Sequence, residues 1–183
     1  MRALLLTALL LAAAPQENAA LRDELITMGD ADQEVRDRWA ADQQNQTIRA
    51  EAKALSEKQV ARLRAIIAEH GWPTFSLVGK KAGNAAWLIA QHGGKDFLHE
   101  VLPLMKVAAE KNEMLPGNYA LSIDRTRIQD GLKQLYGSQF DIKNGKCEPL
   151  PIEDAEHVDE RRKAMGLAPL ADYTKELCEM YKN

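Results

Sequence analysis

Five ionisable residues fall where the sequence predicts helix interiors, and they are the candidates for chemistry in this chain: Asp32, Arg36, His92, Asp124 and Arg125. An unpaired charge is costly to bury, so we expect these side chains to meet, with Gln91 or Gln139 filling the remaining hydrogen bonds. Carboxylate, imidazole and guanidinium groups together supply what acid–base catalysis and anion binding need. A purely structural interpretation stays open, because buried Asp–Arg pairs and a hydrogen-bonded core histidine also fix helix packing.

If the cluster is catalytic, His92 is expected to act as general acid or base and Asp124 to orient it, while Arg125 holds a carboxylate or phosphate. The reaction would then be hydrolytic, although no sequence motif identifies it. The expected ligand-binding residues from the same reasoning are Asp32, Arg36, Gln91, Gln139 and Arg125. A metal site is the least favoured alternative, because the candidate ligands lack a local metal-binding spacing. No cofactor is predicted.

Helical spacing of apolar residues is what assigns these positions to the interior. The first predicted helix has an apolar face formed by Leu21, Leu25, Met28, Val35 and Trp39. Asp32 falls on that face, where an aliphatic side chain is expected. His92 continues the apolar face of a later helix at its C-terminal end, and Asp124 interrupts another face together with Arg125.

The same periodicity predicts the fold. Helices are expected over about 20–43, 56–70, 82–92, 97–112, 119–130, 152–165 and 170–181. A capping box at Ser56 and Gln59 marks the expected start of the second helix, and the polar stretch 42–51 before it is expected to be a loop or a frayed helix. Asn144-Gly145 predicts a hairpin near 139–148. The fold class is therefore mainly α, a single-domain irregular bundle of about six or seven helices with one short β-hairpin.

The N-terminal residues resemble a secretory leader. Arg2 gives a short positive region, and an apolar run over 3–14 follows it. We expect a signal peptide over 1–20, cleaved after Ala14 or near Ala20, and one helical domain over 21–183. The apolar run is too short to span a bilayer, so a periplasmic or secreted protein without a stable membrane anchor after processing is predicted.

Charge and cysteine content narrow the partners. The 183 residues carry a formal net charge of -3, which cannot create the positive field that nucleic-acid binding needs, so no nucleic-acid partner is expected. Cys147 and Cys178 are the two cysteines. In an oxidising compartment they are candidates for a disulfide that ties the C-terminus to the domain, and two unrelated thiols are the alternative.

The chain also resembles a bacterial family of domains of unknown function, number 6624. The matching stretches are Gly71-Trp72-Pro73, Val78-Gly79, Ala85 to His92, Leu121 to Arg125 and Gln134 to Gln139, with Arg161-Arg162 and Gly166-Leu167 further on. Ser138 departs from the threonine expected there. The resemblance implies that His92, Asp124, Arg125, Tyr136 and Gln139 belong to one shared feature, and it implies no known activity.

These observations predict an exported helical domain whose polar pocket binds a small polar or anionic ligand. Whether it is an enzyme stays open. The competing interpretation is a non-enzymatic envelope or interaction protein whose buried polar cluster only stabilises the fold.

Overall fold

The computed structural model describes residues 17–143 and 146–180. Within them the chain forms α1 (Ala19–Ala41), α2 (Gln46–His70), α3 (Phe75–His92), α4 (Lys95–Glu110), α5 (Pro116–Gln129), strands β1 (Phe140–Lys143) and β2 (Lys146–Pro149), one 3-10 turn (Ala155–His157), α6 (Val158–Ala164) and α7 (Leu170–Met180). The mainly α prediction with one short hairpin is confirmed. Residues 1–16, with most of the predicted leader, and the hairpin tip at 144–145 lie outside the described residues.

Helix α1 packs against α2 and α3, and α4 packs against α5. The interior is built from aliphatic and aromatic side chains of the first four helices, among them Leu25, Leu63, Ile66, Val78, Ile89, Phe97, Leu98, Val101 and Met105. Gly29 lets α1 and α3 approach closely, because a Cβ atom added there would lie 2.6 Å from the Cβ of Ala85. The glycine in the middle of α1 is therefore explained by packing.

Two helices begin much earlier than the sequence pattern predicts. Helix α2 starts at Gln46, where the Oδ1 of Asn45 accepts hydrogen bonds from the backbone N–H groups of Thr47 and Ile48. The predicted start at Ser56 is wrong, because Ser56 lies in the middle of this helix. Helix α3 starts at Phe75 instead of residue 82, and its first turn joins the rest through a non-helical residue, Gly79, with φ of 76°.

The C-terminal part of the chain contains the hairpin and the last two helices. Strands β1 and β2 pair antiparallel, with Ile142 opposite Cys147. A disulfide joins Cys147 to Cys178 on α7, with 5.6 Å between the Cα atoms. It ties the hairpin to α7, whose residues are all partly buried or exposed.

In the described part of the chain, no helix is both long and apolar enough to cross a membrane.

Candidate functional site

Asp32 and His92 form the centre of the candidate site. Asp32 points from α1 into the interior and is only 1% exposed. Its Oδ2 lies 2.7 Å from the Nδ1 of His92, the last residue of α3. The two residues are 60 positions apart in the chain, so this pair depends on the packing of α1 against α3.

Two further side chains hold the Asp32 carboxylate. The Nε of Arg36 donates to its Oδ1 at 2.9 Å, and the Nε2 of Gln33 donates to its Oδ2 at 3.0 Å. Burial alone would raise the pKa of Asp32, but the hydrogen bond and charge of His92 and the charge of Arg36 outweigh it. The pKa of Asp32 is lowered below its usual value, so the carboxylate is ionised at neutral pH.

An ionised Asp32 fixes the proton on His92. Because a carboxylate only accepts hydrogen bonds, the Nδ1 of His92 carries the proton in their shared bond. In the neutral imidazole the lone pair is then on Nε2, which has no hydrogen-bond partner among the described residues. The arrangement leaves His92 able to accept a proton, or to donate one when protonated, at Nε2.

A cavity of about 270 Å³ adjoins His92. Its polar wall consists of Gln91, His92, Arg125, Ser138 and Gln139, beside the indole ring of Trp87. Its other wall is formed by the hairpin and α7, through Phe140, Ile142, Tyr173 and Leu177. We call this space the anion cavity, because Arg125 is its cationic wall residue.

Arg125 is a partly buried cation without an anionic partner. Its Nη1 donates to the backbone carbonyl of Gln91 at 2.9 Å. No carboxylate in the described part of the chain forms an ion pair with it. Burial, and then the nearby charge of Arg36, lowers the pKa of Arg125 from its ordinary value. The guanidinium is therefore a partly buried group with no ion-pair partner among the described residues.

Gln91 adds an unpaired amide to the same wall. The residue is 6% exposed, and its Oε1 is enclosed without a hydrogen-bond partner in the described structure. An enclosed, unpaired carbonyl costs about 1–3 kcal/mol, so such groups are uncommon in protein interiors. Because Oε1 has almost no accessible surface, it is not itself part of the cavity surface.

The predicted pairing of Asp124 with His92 is not formed. Asp124 is fully buried, and its carboxylate accepts the backbone N–H groups of Leu135 at 2.7 Å, Tyr136 at 3.0 Å and Ser138 at 2.9 Å. It anchors the segment that follows α5, and Asp32 takes the place beside His92 that was expected for Asp124. The pair with His92 does not form because the carboxylate of Asp124 accepts its hydrogen bonds from these backbone N–H groups.

Tyr136 also lies away from the anion cavity. The side chain is 7% exposed, and burial raises the pKa of its hydroxyl. Its carbonyl accepts a hydrogen bond at 2.6 Å from Arg162, whose guanidinium stacks on the Tyr173 ring. Gln139 does line the cavity, and its Nε2 donates to the Oγ of Ser138 at 3.2 Å. The residues that the family resemblance groups together therefore fall into two sets. His92, Arg125 and Gln139 line the anion cavity, and Asp124 and Tyr136 are buried outside it.

Several cavity residues were missed by sequence reasoning. Ser138 stood out in the sequence only as a departure from the threonine expected there. Trp87 resembles an ordinary core residue, and its Nε1 is indeed satisfied by the carbonyl of Asn118 and the Oγ of Ser122. Tyr173 gave no signal, since it reaches the cavity only because the C-terminal helix folds back.

No three His, Cys, Asp or Glu residues in the described ranges are grouped as metal ligands. Asp32 and His92 are adjacent, whereas Asp124 faces the loop after α5.

The sequence pattern of a family of unknown function (DUF6624) matches residues 19–183, and the chain therefore belongs to this family. No curated protein and no solved structure matches the chain.

Proposed function

We propose that this member of the DUF6624 family binds a small anionic ligand in the anion cavity. The observation that carries the proposal is Arg125, a partly buried cation that lines the cavity without an anionic partner in the described chain. A carboxylate or phosphate oxygen of the ligand would neutralise this charge through charge-assisted hydrogen bonds. Ser138 and Gln139, which line the same wall, favour a ligand with a second polar group.

The volume of the cavity limits the ligand to a small molecule. About 270 Å³ lies just below the usual range of pockets for drug-sized compounds, roughly 300–1,000 Å³. The ring of Trp87 and the apolar side chains of the opposite wall would contact the carbon skeleton. A short organic acid with a hydroxyl or amino group fits both walls.

At a finer level, we propose that the site is hydrolytic and that His92 transfers the proton. Asp32 holds Nδ1, so Nε2 would accept a proton from water as the water attacks a carbonyl or phosphoryl centre of the bound ligand. It would then return that proton to the leaving group. Asp32 acts as the orienting group, the role first expected for Asp124. Binding without turnover would instead support the non-enzymatic interpretation.

We also propose that the protein is exported. The Cys147–Cys178 disulfide supports this, because structural disulfides persist in oxidising compartments. Of the two cleavage positions, Ala14 is favoured, since a cut near Ala20 would remove the N-cap of α1. The Oδ1 of Asn18 accepts the Leu21 N–H at 3.1 Å. Fractionation of cells that express the full chain, with mass spectrometry of the mature N-terminus, tests both statements.

The ligand proposal is tested by thermal melting with malate, glutamate and citrate as probes. A ligand at about 100 times its Kd stabilises the native state by about 2.7 kcal/mol, which raises the Tm of a domain this size by roughly 5–10 °C. We expect at least one probe to do so in the wild type and none in Arg125→Gln. Lys106→Gln, an exposed change away from the cavity, is the matched control.

Two outcomes would reject the ligand proposal: no shift with any probe, or equal shifts in wild type and Arg125→Gln. The catalytic part has its own test. Hydrolysis of ester, amide and phosphate panels should fall at least about 100-fold in His92→Ala, with the probe-induced Tm shift retained. Unchanged hydrolysis in His92→Ala would remove the catalytic role and leave the binding role intact.

A further inference from the structure

A second, larger cavity lies on another side of His92. It has a volume of about 590 Å³ and is enclosed by α1, α2 and the turn Gly93–Gly94 between α3 and α4. We call it the basic groove. We infer that the basic groove is a separate binding site for an organic phosphate, with the phosphate on its arginines and the organic part on its apolar floor.

Several cationic side chains line the basic groove: Arg36, Arg49, Lys53 and Arg64. Among its lining residues in the described chain, Glu57 is the one carboxylate. Arg49 forms no ion pair with any described residue. Lys53 lies 3.9 Å from Glu57, but its side chain is 79% exposed, and exposed pairs of this kind contribute little. Both cations are therefore available to a ligand.

The other two cations are held in place by hydrogen bonds to neighbouring side chains. The Nε of Arg36 is fixed by Asp32 at 2.9 Å, and its Nη2 by the Oγ of Ser56 at 3.0 Å. The Nη2 of Arg64 is fixed by Glu100 at 2.7 Å. In each guanidinium Nη1 forms no hydrogen bond with the described residues. Arginines that are oriented in advance and retain free donors are suited to the oxygens of a phosphate.

The apolar lining of the groove favours a ligand with an organic part. Trp39, Ala52 and Val60 line the same space as the cations. Its volume lies within the range of pockets for organic molecules, roughly 300–1,000 Å³. Inorganic phosphate would occupy the cationic side alone and leave the Trp39 indole uncovered. A phosphate ester with an aromatic or other apolar body would contact both.

This site does not depend on the anion cavity. Arg49 and Lys53 line the groove and are absent from the lining of the anion cavity, while Arg125 lines only the cavity. His92 is the residue that both share. Substitutions can therefore disable one site and leave the other unchanged.

Phenyl phosphate is the probe that tests the inference. Phenol and inorganic phosphate serve as controls, because each represents one half of the probe. Isothermal titration should show phenyl phosphate binding more tightly than either half, and it should quench the fluorescence of Trp39. Replacing Arg49 and Lys53 together by alanine should weaken phenyl phosphate binding at least about tenfold. Arg125→Gln and the exposed control Lys106→Ala should change it less than about twofold.

Three results would overturn the inference. The wild type does not bind phenyl phosphate, or the double variant binds it as well as the wild type, or Arg125→Gln removes binding while the double variant retains it. The last result would assign the probe to the anion cavity. Both substitutions lie on exposed positions of α2, and circular dichroism verifies the helical content. If the double variant is misfolded, the single variants Arg49→Ala and Lys53→Ala replace it, each with a smaller expected loss.

Discussion

Replacing Asp32 by asparagine removes one negative charge from the interior while preserving shape. The carboxylate accepts from His92, Arg36 and Gln33, so the new amide group must face at least one of these donors. Breaking a buried ion pair costs about 3–5 kcal/mol. His92 and Arg36 each retain about a fifth of their side-chain exposure, 20% and 21%, and water can reach them. We therefore expect the lower end, a loss of about 3 kcal/mol in the free energy of unfolding.

The loss should depend on pH in a defined direction. The pKa of Asp32 in the folded protein lies below the ordinary 3.8, so its ionised form stabilises the fold. This stabilisation is complete above the ordinary value and disappears as pH falls through the lower folded-state value. The difference between wild type and Asp32→Asn should shrink below about pH 4.

Urea denaturation followed by circular dichroism measures this difference at pH 7, 5 and 3.5. At neutral pH the expected loss corresponds to a Tm decrease of roughly 6–12 °C. Asp37→Asn, an exposed change on the same helix, is the matched control and should have little effect. A loss below about 0.5 kcal/mol for Asp32→Asn at pH 7, or one that persists unchanged at pH 3.5, would refute the reasoning.

Three further changes test the fold around the site. Asp124→Asn should lower the free energy of unfolding by about 3 kcal/mol in urea titrations, because its carboxylate accepts three backbone N–H groups; a neutral result would disprove the anchoring role. Gly29→Ala should destabilise by about 1–3 kcal/mol through overpacking, and the added change Ala85→Gly should restore part of the Tm if the contact is the cause. Replacing Cys147 and Cys178 by serine should cost about 3.5 kcal/mol in the chain-entropy treatment of a 31-residue separation; the same Tm for oxidised wild type and variant would contradict it.

The helices could be predicted from the sequence better than their starts. Apolar spacing marks one face of a helix but gives no boundary, and α2 illustrates this. Asn45 and Ser56 are both good N-cap residues, so local pattern alone cannot choose between them. The stretch after Asn45 is polar because it is exposed on α2, where Glu51 pairs with Arg38 on α1 at 2.8 Å. That ion pair joins two helices and has no signature in either one alone.

The candidate site could be predicted only as a set of residues. Spacing along one helix identifies the side of that helix on which a residue lies, and it correctly turned Asp32 and His92 inward. It carries no information on which residue of another helix lies opposite. Two buried aspartates were available to His92, and the choice between them depends on how α1 and α5 pack around α3. Arg49 and Lys53 gave no signal at all, since charges on an exposed helix face are ordinary.

The surroundings of the two buried aspartates determine which of them can take part in chemistry. Asp124 accepts hydrogen bonds from backbone N–H groups of one segment, and none of these donors remains available to a ligand. Asp32 accepts from side chains, and one of them, His92, lines both cavities. A charge on Asp32 therefore acts on a group that a ligand can reach, whereas a charge on Asp124 acts only on the backbone. Loss of Asp124 should consequently reduce stability with ligand affinity unchanged in the folded fraction, and loss of His92 should reduce turnover with ligand binding retained.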